Sequence, residues 1–186
     1  MSVAIPSFER NLPAEHREEK RPPTPDRFLK IDGIPGESMD AKHRGEIQIE
    51  SFGFRAAQKS SMSQGGTGGG GVGKVQFHDV VVRMKASKAG PKLLLSCLTG
   101  KHIKSAVLTE RKAGGQQEDY NKITLTDLIV SRYTVFGEDS PEFEVPVEEV
   151  SLNFAAIEIE YKEQKSDGTL AAGNRAKFDL KTMQVA

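Results

Sequence analysis

Apolar side chains recur at every second position along most of this chain, which is the spacing of half-buried strands and not of helices. Phe28-Leu29-Lys30-Ile31 reads as a first strand, closed by the turn-forming Asp32-Gly33-Ile34-Pro35-Gly36. Glu46-Ile47-Gln48-Ile49-Glu50 alternates cleanly with Ile47 and Ile49 facing inward, after which Phe52 and Phe54 carry the apolar groups on the opposite parity. That phase slip predicts a bulge or bend near Ser51 to Gly53. A second slip lies near the C-terminus. Val150, Leu152 and Phe154 share one parity, Ile157, Ile159 and Tyr161 take the other, and the change falls at Ala155-Ala156. Long strands that switch inner face partway suit a small barrel, or a strand shared between two packed sheets. Val75 to Val82 is a further strand, and Val107 to Lys112 leads into a turn at Ala113-Gly114-Gly115. Tyr120 to Phe136 forms a long β segment. Ala176 to Leu180 alternates again after the turn Ser166-Asp167-Gly168.

One helix interrupts the strands. Gly90-Pro91 fits a helix start and Gly100 fits a left-handed residue just past its end. Between them Leu94 and Leu98 lie one turn apart, which predicts a short helix packed on the sheet, with Lys101 and His102 beyond its negative end. The fold class expected is mainly β: a small antiparallel β-barrel, or two packed sheets, with one flanking α-helix.

Residues 1–25 differ from the rest. They hold five of the nine prolines, and four acidic side chains (Glu9, Glu15, Glu18, Glu19) balance four basic ones (Arg10, Arg17, Lys20, Arg21). So few apolar groups cannot offset the entropy of ordering, so this segment reads as a disordered arm preceding a domain at 26–186. A docking arm for a partner is the functional alternative.

Composition removes several classes of function. Lys+Arg and Asp+Glu number 26 each, leaving no net positive charge to hold a nucleic acid. No run approaches the ~18 apolar residues of a membrane span, and the N-terminus lacks the apolar core of a secretory signal. The single cysteine, Cys97, excludes an internal disulfide and fits a reducing cytoplasm.

Seven of the nine residues from Gly65 to Gly73 are glycine. The tract matches G-x-x-x-x-G-K (Gly68 to Lys74) and G-x-G-x-x-G (Gly66, Gly68, Gly71). A phosphate loop needs Ser or Thr after the lysine and a helix behind it. Val75 follows Lys74 here, and a strand pattern comes next, so the tract reads as a loop between strands. Gly65, Gly66, Gly68, Gly69, Gly70 and Gly71 are instead candidate contact positions, because backbone without side chains can lie flat on another surface.

No catalytic set assembles from the residue pattern. Cys97 and His102 are five residues apart, but Cys97 stands among leucines, where a buried core residue is expected. His16, His43, His78 and His102 are scattered one per segment, without metal-ligand spacing. Glu148-Glu149 and Glu158/Glu160 lie beside Val and Ile and read as outward polar positions. No metal or cofactor is expected.

Several short pieces in a fixed order carry a resemblance. They are Phe28-Leu29-Lys30-Ile31 with Gly36-Glu37-Ser38, Glu46-Ile47, the glycine tract ending Gly73-Lys74-Val75, and Lys92-Leu93 with Cys97 and Gly100-Lys101-His102. Then come Leu108 to Gly115, Ile123-Thr124-Leu125, Ser151 to Ala155 and Lys165-Ser166-Asp167-Gly168. Together they resemble the haemolysin-coregulated protein (Hcp) family, the tube-forming component of bacterial type VI secretion systems. Residues 1–25 lie outside the resemblance, and Phe52 and Phe54 stand where the family pattern suggests tryptophan.

The resemblance implies a β-barrel assembled with copies of itself into a homohexameric ring, with rings stacked as the inner tube of a contractile machine. It also implies a VgrG-type spike protein at the tip, a contractile sheath outside, and small effector proteins in the lumen. Such a protein is made in the cytoplasm and secreted without a signal peptide to the extracellular space or a target cell, with no insertion into a membrane and no nucleic acid bound. A phage-type tail-tube protein of another contractile particle is the alternative, followed by a β-barrel module that binds a ligand through the glycine loop.

Overall fold

A computed structural model describes residues 26–60, 72–112, 118–137, 145–165 and 169–185. Among them lie strands β1 (Asp26–Ile31), β2 (Ile47–Gln48), β3 (Ser51–Gly53), β4 (Ala56–Ser60), β5 (Val72–Phe77) and β6 (Val80–Lys85), then helix α1 (Gly90–Thr99). Strands β7 (Ile103–Arg111), β8 (Asp119–Phe136), β9 (Val147–Tyr161), β10 (Asn174–Asp179) and β11 (Gln184–Val185) follow. Every pairing among the described residues is antiparallel, and these residues are mainly β with one short helix, as the alternation predicts. The expected arm 1–25 and the turns at Ala113-Gly114-Gly115 and Ser166-Asp167-Gly168 lie outside the described residues.

The spine is the pair β8–β9. β9 bonds to β8 along nearly its whole length, while its other edge is divided between β6 (Val147 to Leu152) and β10 (Ala156 to Tyr161). This strand is therefore shared between two parts of the sheet, and its inner face changes at the expected place: Leu152 and Phe154 are buried, then Ala156 and Ile157. β8 changes phase on the same rung, from Ile123 and Leu125 to Leu128 and Val130. Asp127, opposite Ala155, takes a left-handed backbone (φ 50°) there, and pairing runs on in register from Thr126↔Ala156 to Leu128↔Phe154. One extra residue, Ser131, then bulges out of β8.

The other slip is also a change of partner. Residues 47–48 pair with β1, and Ile49 N–H donates to Arg27 O (3.1 Å). Glu50 N–H turns instead to Arg83 O on β6 (2.8 Å), and β3 continues along β6. The hydrogen-bonded path β1–β7–β8–β9–β6 thus returns to β1 through residues 47–53, a barrel-like circuit around Leu29, Ile47, Val82, Leu108, Leu125 and Leu152.

Helix α1 ends as predicted, with Gly100 at φ 61° and the Gly100 and Lys101 N–H groups on the carbonyls of Cys97 and Ser96. Its packing differs from expectation. Leu93 is fully buried, with Ala89 and Ser96 beside it, while Leu94 and Leu98 are 41% and 75% exposed. Three successive leucines span more than half a helix circumference, so only one can face the sheet. Ser96 tolerates burial because its hydroxyl donates to Lys92 O (2.8 Å). Cys97 is half-buried against the core.

Glu148, expected outward, is 4% exposed. α1 begins directly over it: a Cβ on Gly90 would lie 2.3 Å from Glu148 Oε1, so a larger residue there would have to displace the carboxylate. Tyr133 donates a hydrogen bond to the carboxylate, while Oε2 has no partner. Burial pushes the Glu148 pKa up, and burial together with that carboxylate pushes the Tyr133 phenol up to about 12.

Two predictions follow from this packing. A Cβ on Gly36 would meet Glu46 O at 2.2 Å, so Gly36→Ala should destabilise the fold by about 3 kcal/mol or more in urea denaturation. Because the folded-state pKa of Glu148 lies above its ordinary value, ionising it costs more in the fold than in the unfolded chain. That cost is absent in acid and grows as pH rises through the folded pKa. Glu148→Gln should therefore raise the denaturation midpoint at pH 7 and leave it unchanged near pH 4.

Candidate assembly interface

One ribbon leaves the body of the molecule. β3 and β6 form its base within the main sheet, and β4 and β5 continue it as a separate two-stranded sheet. The register shows the continuity: Gly53↔Val81 in the base, His78 N–H on Arg55 O (2.9 Å) at the junction, then Ala56↔Phe77 and Gln58↔Val75. One residue of register is lost at the junction, and another beyond Gln58. Such slips bend and twist a ribbon, directing it away from the sheet that holds its base. The outer edges of β4 and β5 have no strand beside them among the described residues, and Phe54 and Ala56 are exposed. Unpaired edges of this kind are ready to bond to another chain.

Two contacts aim the ribbon. Phe77, the last residue of β5, stacks on Phe178 of β10 (centroids 5.7 Å apart) and meets Phe154 of β9 edge-on (6.2 Å). Two residues on, Asp79 accepts from the Ser131 hydroxyl and from Asn153 Nδ2 (2.8 Å). Ser131 is the residue that bulges from β8, so the irregularity in the spine supplies a clamp for the base of the ribbon.

The candidate contact glycines Gly65, Gly66, Gly68, Gly69, Gly70 and Gly71 lie in the stretch joining β4 to β5, outside the described residues. Lys74 belongs to β5, so the segment after the tract is a strand, which is not the helix a phosphate loop requires. His78 is exposed at the β5–β6 junction, and His102 Nδ1 lies 3.0 Å from Asp127 Oδ1. Glu158 and Glu160 lie within 3.2 and 3.6 Å of Arg175 nitrogens on β10.

A buried charge cluster, missed by the sequence reading, fixes the entry of β1. Arg111 is 3% exposed and bonded to Asp26 (2.9 Å) and Asp40 (2.8 Å), with its guanidinium over the Phe28 ring. The Arg111 hydrogen bond is the largest reason that the Asp40 carboxyl falls to about 2. His43 stacks on Phe28 (4.2 Å) between the carboxylates of Glu46 (3.0 Å) and Asp119 (3.1 Å). Arg27 and Asn121 both donate to Glu110 at 2.8 Å. Burial runs through four consecutive positions, Leu108 to Arg111, and the polar sequence Thr109-Glu110-Arg111 carries no sign of it.

The comparisons with known proteins agree with this architecture. The family model described as "Type VI secretion system effector, Hcp" matches residues 28–161. "Protein hcp1" of Pseudomonas aeruginosa is 39% identical over 149 residues, covering 80% of this chain and 90% of the relative. The crystal structure of Hcp1 from Salmonella typhimurium superposes with a TM-score of 0.71 at 36% identity, covering 87% of this chain and 99% of that one. A type VI secretion system effector from Yersinia pestis gives 0.66 at 34% identity, covering 83% and 99%. The chain belongs to the Hcp family of type VI secretion proteins. No helix among the described residues is long and apolar enough to cross a membrane.

If Phe77 aims the ribbon, Phe77→Ala should leave the barrel folded and loosen the ribbon alone. Trypsin cleavage after Arg55 should then accelerate by about tenfold, since local opening exposes the site without global unfolding. Mass spectrometry of timed digests reads this.

Proposed function

We propose that this chain is the subunit of a homohexameric ring, and that rings stack into the inner tube of a type VI machine. The observation that carries the reading is the ribbon β4–β5, held at its base by Phe77 and Asp79 and bearing unpaired edges. A ring needs a head-to-tail contact that closes, and a projecting two-stranded arm reaching a neighbour supplies one. The glycines Gly65 to Gly71 belong to the stretch of sequence between β4 and β5, and close backbone approach to the next protomer or ring is the use of side-chain-free sequence.

In this reading a VgrG-type spike protein tops the tube and a contractile sheath surrounds it. The lumen carries small effector proteins, and the protein leaves the cytoplasm with the expelled tube. Residues 1–25 form an arm separate from the domain. It joins at Asp26, which lines a groove of about 850 Å³ with Phe28, Ile49 and Lys85. Six copies of the arm either restrain stacking until a partner displaces them or dock on a neighbour's edge strand; on deleting residues 1–25, longer tubes in electron micrographs favour the first and dissociated rings the second.

Negative-stain images of the purified protein should show six-fold rings, and a monomer by light scattering at high concentration and low salt overturns the proposal. Shortening Gly65–Gly71 should weaken ring closure or stacking while changing domain stability by less than about 1 kcal/mol. Magnesium-dependent ATP binding abolished by Lys74→Ala would reject the contact role of the tract.

A further inference from the structure

The outward face of α1 is apolar, the reverse of what a solvent-facing helix carries. Its inner face is occupied by Ala89, Leu93 and Ser96. On the opposite side Leu94, Leu95 and Leu98 are 41%, 61% and 75% exposed. With exposed Pro91 they complete the spacing i, i+3, i+4, i+7, the stripe by which one helix packs on another. Along the sequence the charge flanking the stripe has one sign, while in space Glu37 accepts from Lys88 N–H (2.9 Å) before the helix and Asp127 lies 3.0 Å from His102 after it. Between Asp79 and Glu110 the chain has no acidic residue and six Lys or Arg. Lys92, Lys101 and Lys104 are exposed and form no ion pair among the described residues.

We propose that this face docks an amphipathic helix of another protein, one with an aliphatic stripe flanked by acidic side chains. Three considerations select that occupant. The leucine spacing matches the ridges and grooves of a helix and gives no strand an edge to bond. The basic flanks favour acidic neighbours, which set orientation and speed encounter. Two copies of this face would set like charges, the exposed Lys92, Lys101 and Lys104, near one another. The face is not part of the ribbon, since α1 packs on β8 and the ribbon leaves from β6.

The test uses the full chain and a synthetic helical peptide of about four turns, with leucines at that spacing and glutamates on both flanks. Binding is read by fluorescence anisotropy. The acidic peptide should bind, and a twin with lysines for the glutamates should bind at least about tenfold more weakly. Leu95→Gln/Leu98→Gln should abolish binding, and Lys92→Glu/Lys101→Glu should weaken the acidic peptide and strengthen its twin. Oligomeric state and melting temperature should not change in either variant. Equal binding of both peptides, or of neither, overturns the proposal. So does loss of assembly in the leucine variant, which would make the face a contact between copies. Binding to vesicles containing anionic phospholipid without binding to the peptide overturns it in favour of a lipid surface.

Discussion

Two neighbouring strands that change faces on the same rung hold this molecule together. An 18-residue strand beside a 15-residue one cannot keep a single face buried, because a small barrel curves away beneath it. If one strand switched alone, the pairing beyond would set apolar against polar. Asp127 and Ala155 switch together, so the rungs Leu125↔Ile157, Leu128↔Phe154 and Val130↔Leu152 on either side all set buried beside buried. The cost is a non-glycine residue at φ 50°, held by His102 and Lys181 on its carboxylate. The partners of β9 divide at this point too, with β6 before it and β10 after it.

The remaining polar structure secures segments that the spine does not reach. Arg111, buried over Phe28, ties the start of β1 and the loop carrying Asp40 to the end of β7. A buried guanidinium is costly unless paired, and two carboxylates with an aromatic face meet that need while its Nε stays unpartnered. Asp79 plays a comparable part for the ribbon. In both places a charged side chain fixes where the chain enters or leaves the barrel, and apolar packing supplies the interior.

Much of this was legible because strand parity is a direct record of which face is buried. The slips at Ser51 to Gly53 and Ala155-Ala156 are both real, and both mark a change of partner. The matching slip in β8, from Leu125 to Leu128, is present in the sequence but hidden inside a run of Ile, Leu, Val and Thr. Glu148 was not legible, since its burial comes from a helix placed over it by residues nearly sixty positions earlier. Leu93, Leu94 and Leu95 are equivalent in composition, and only the fold decides which of them the sheet takes. β4 carries almost no apolar signal, because its pairing with β5 happens away from any core. The order of short motifs conveyed the family, which alternation cannot express.

The attachment of the ribbon has a mechanical consequence. A neighbour gripping β4 and β5 and drawing outward loads both strands in the same sense, so the pair is not peeled open from its tip. The tension passes through Phe77 and Asp79 into β6, which lies antiparallel to β9 over six rungs, Val80↔Leu152 to Lys85↔Val147. Hydrogen bonds between strands run across the pulling direction, so these rungs are sheared together and must yield together. A subunit joined to its neighbours this way resists tension as a lap joint does, through the length of the overlap.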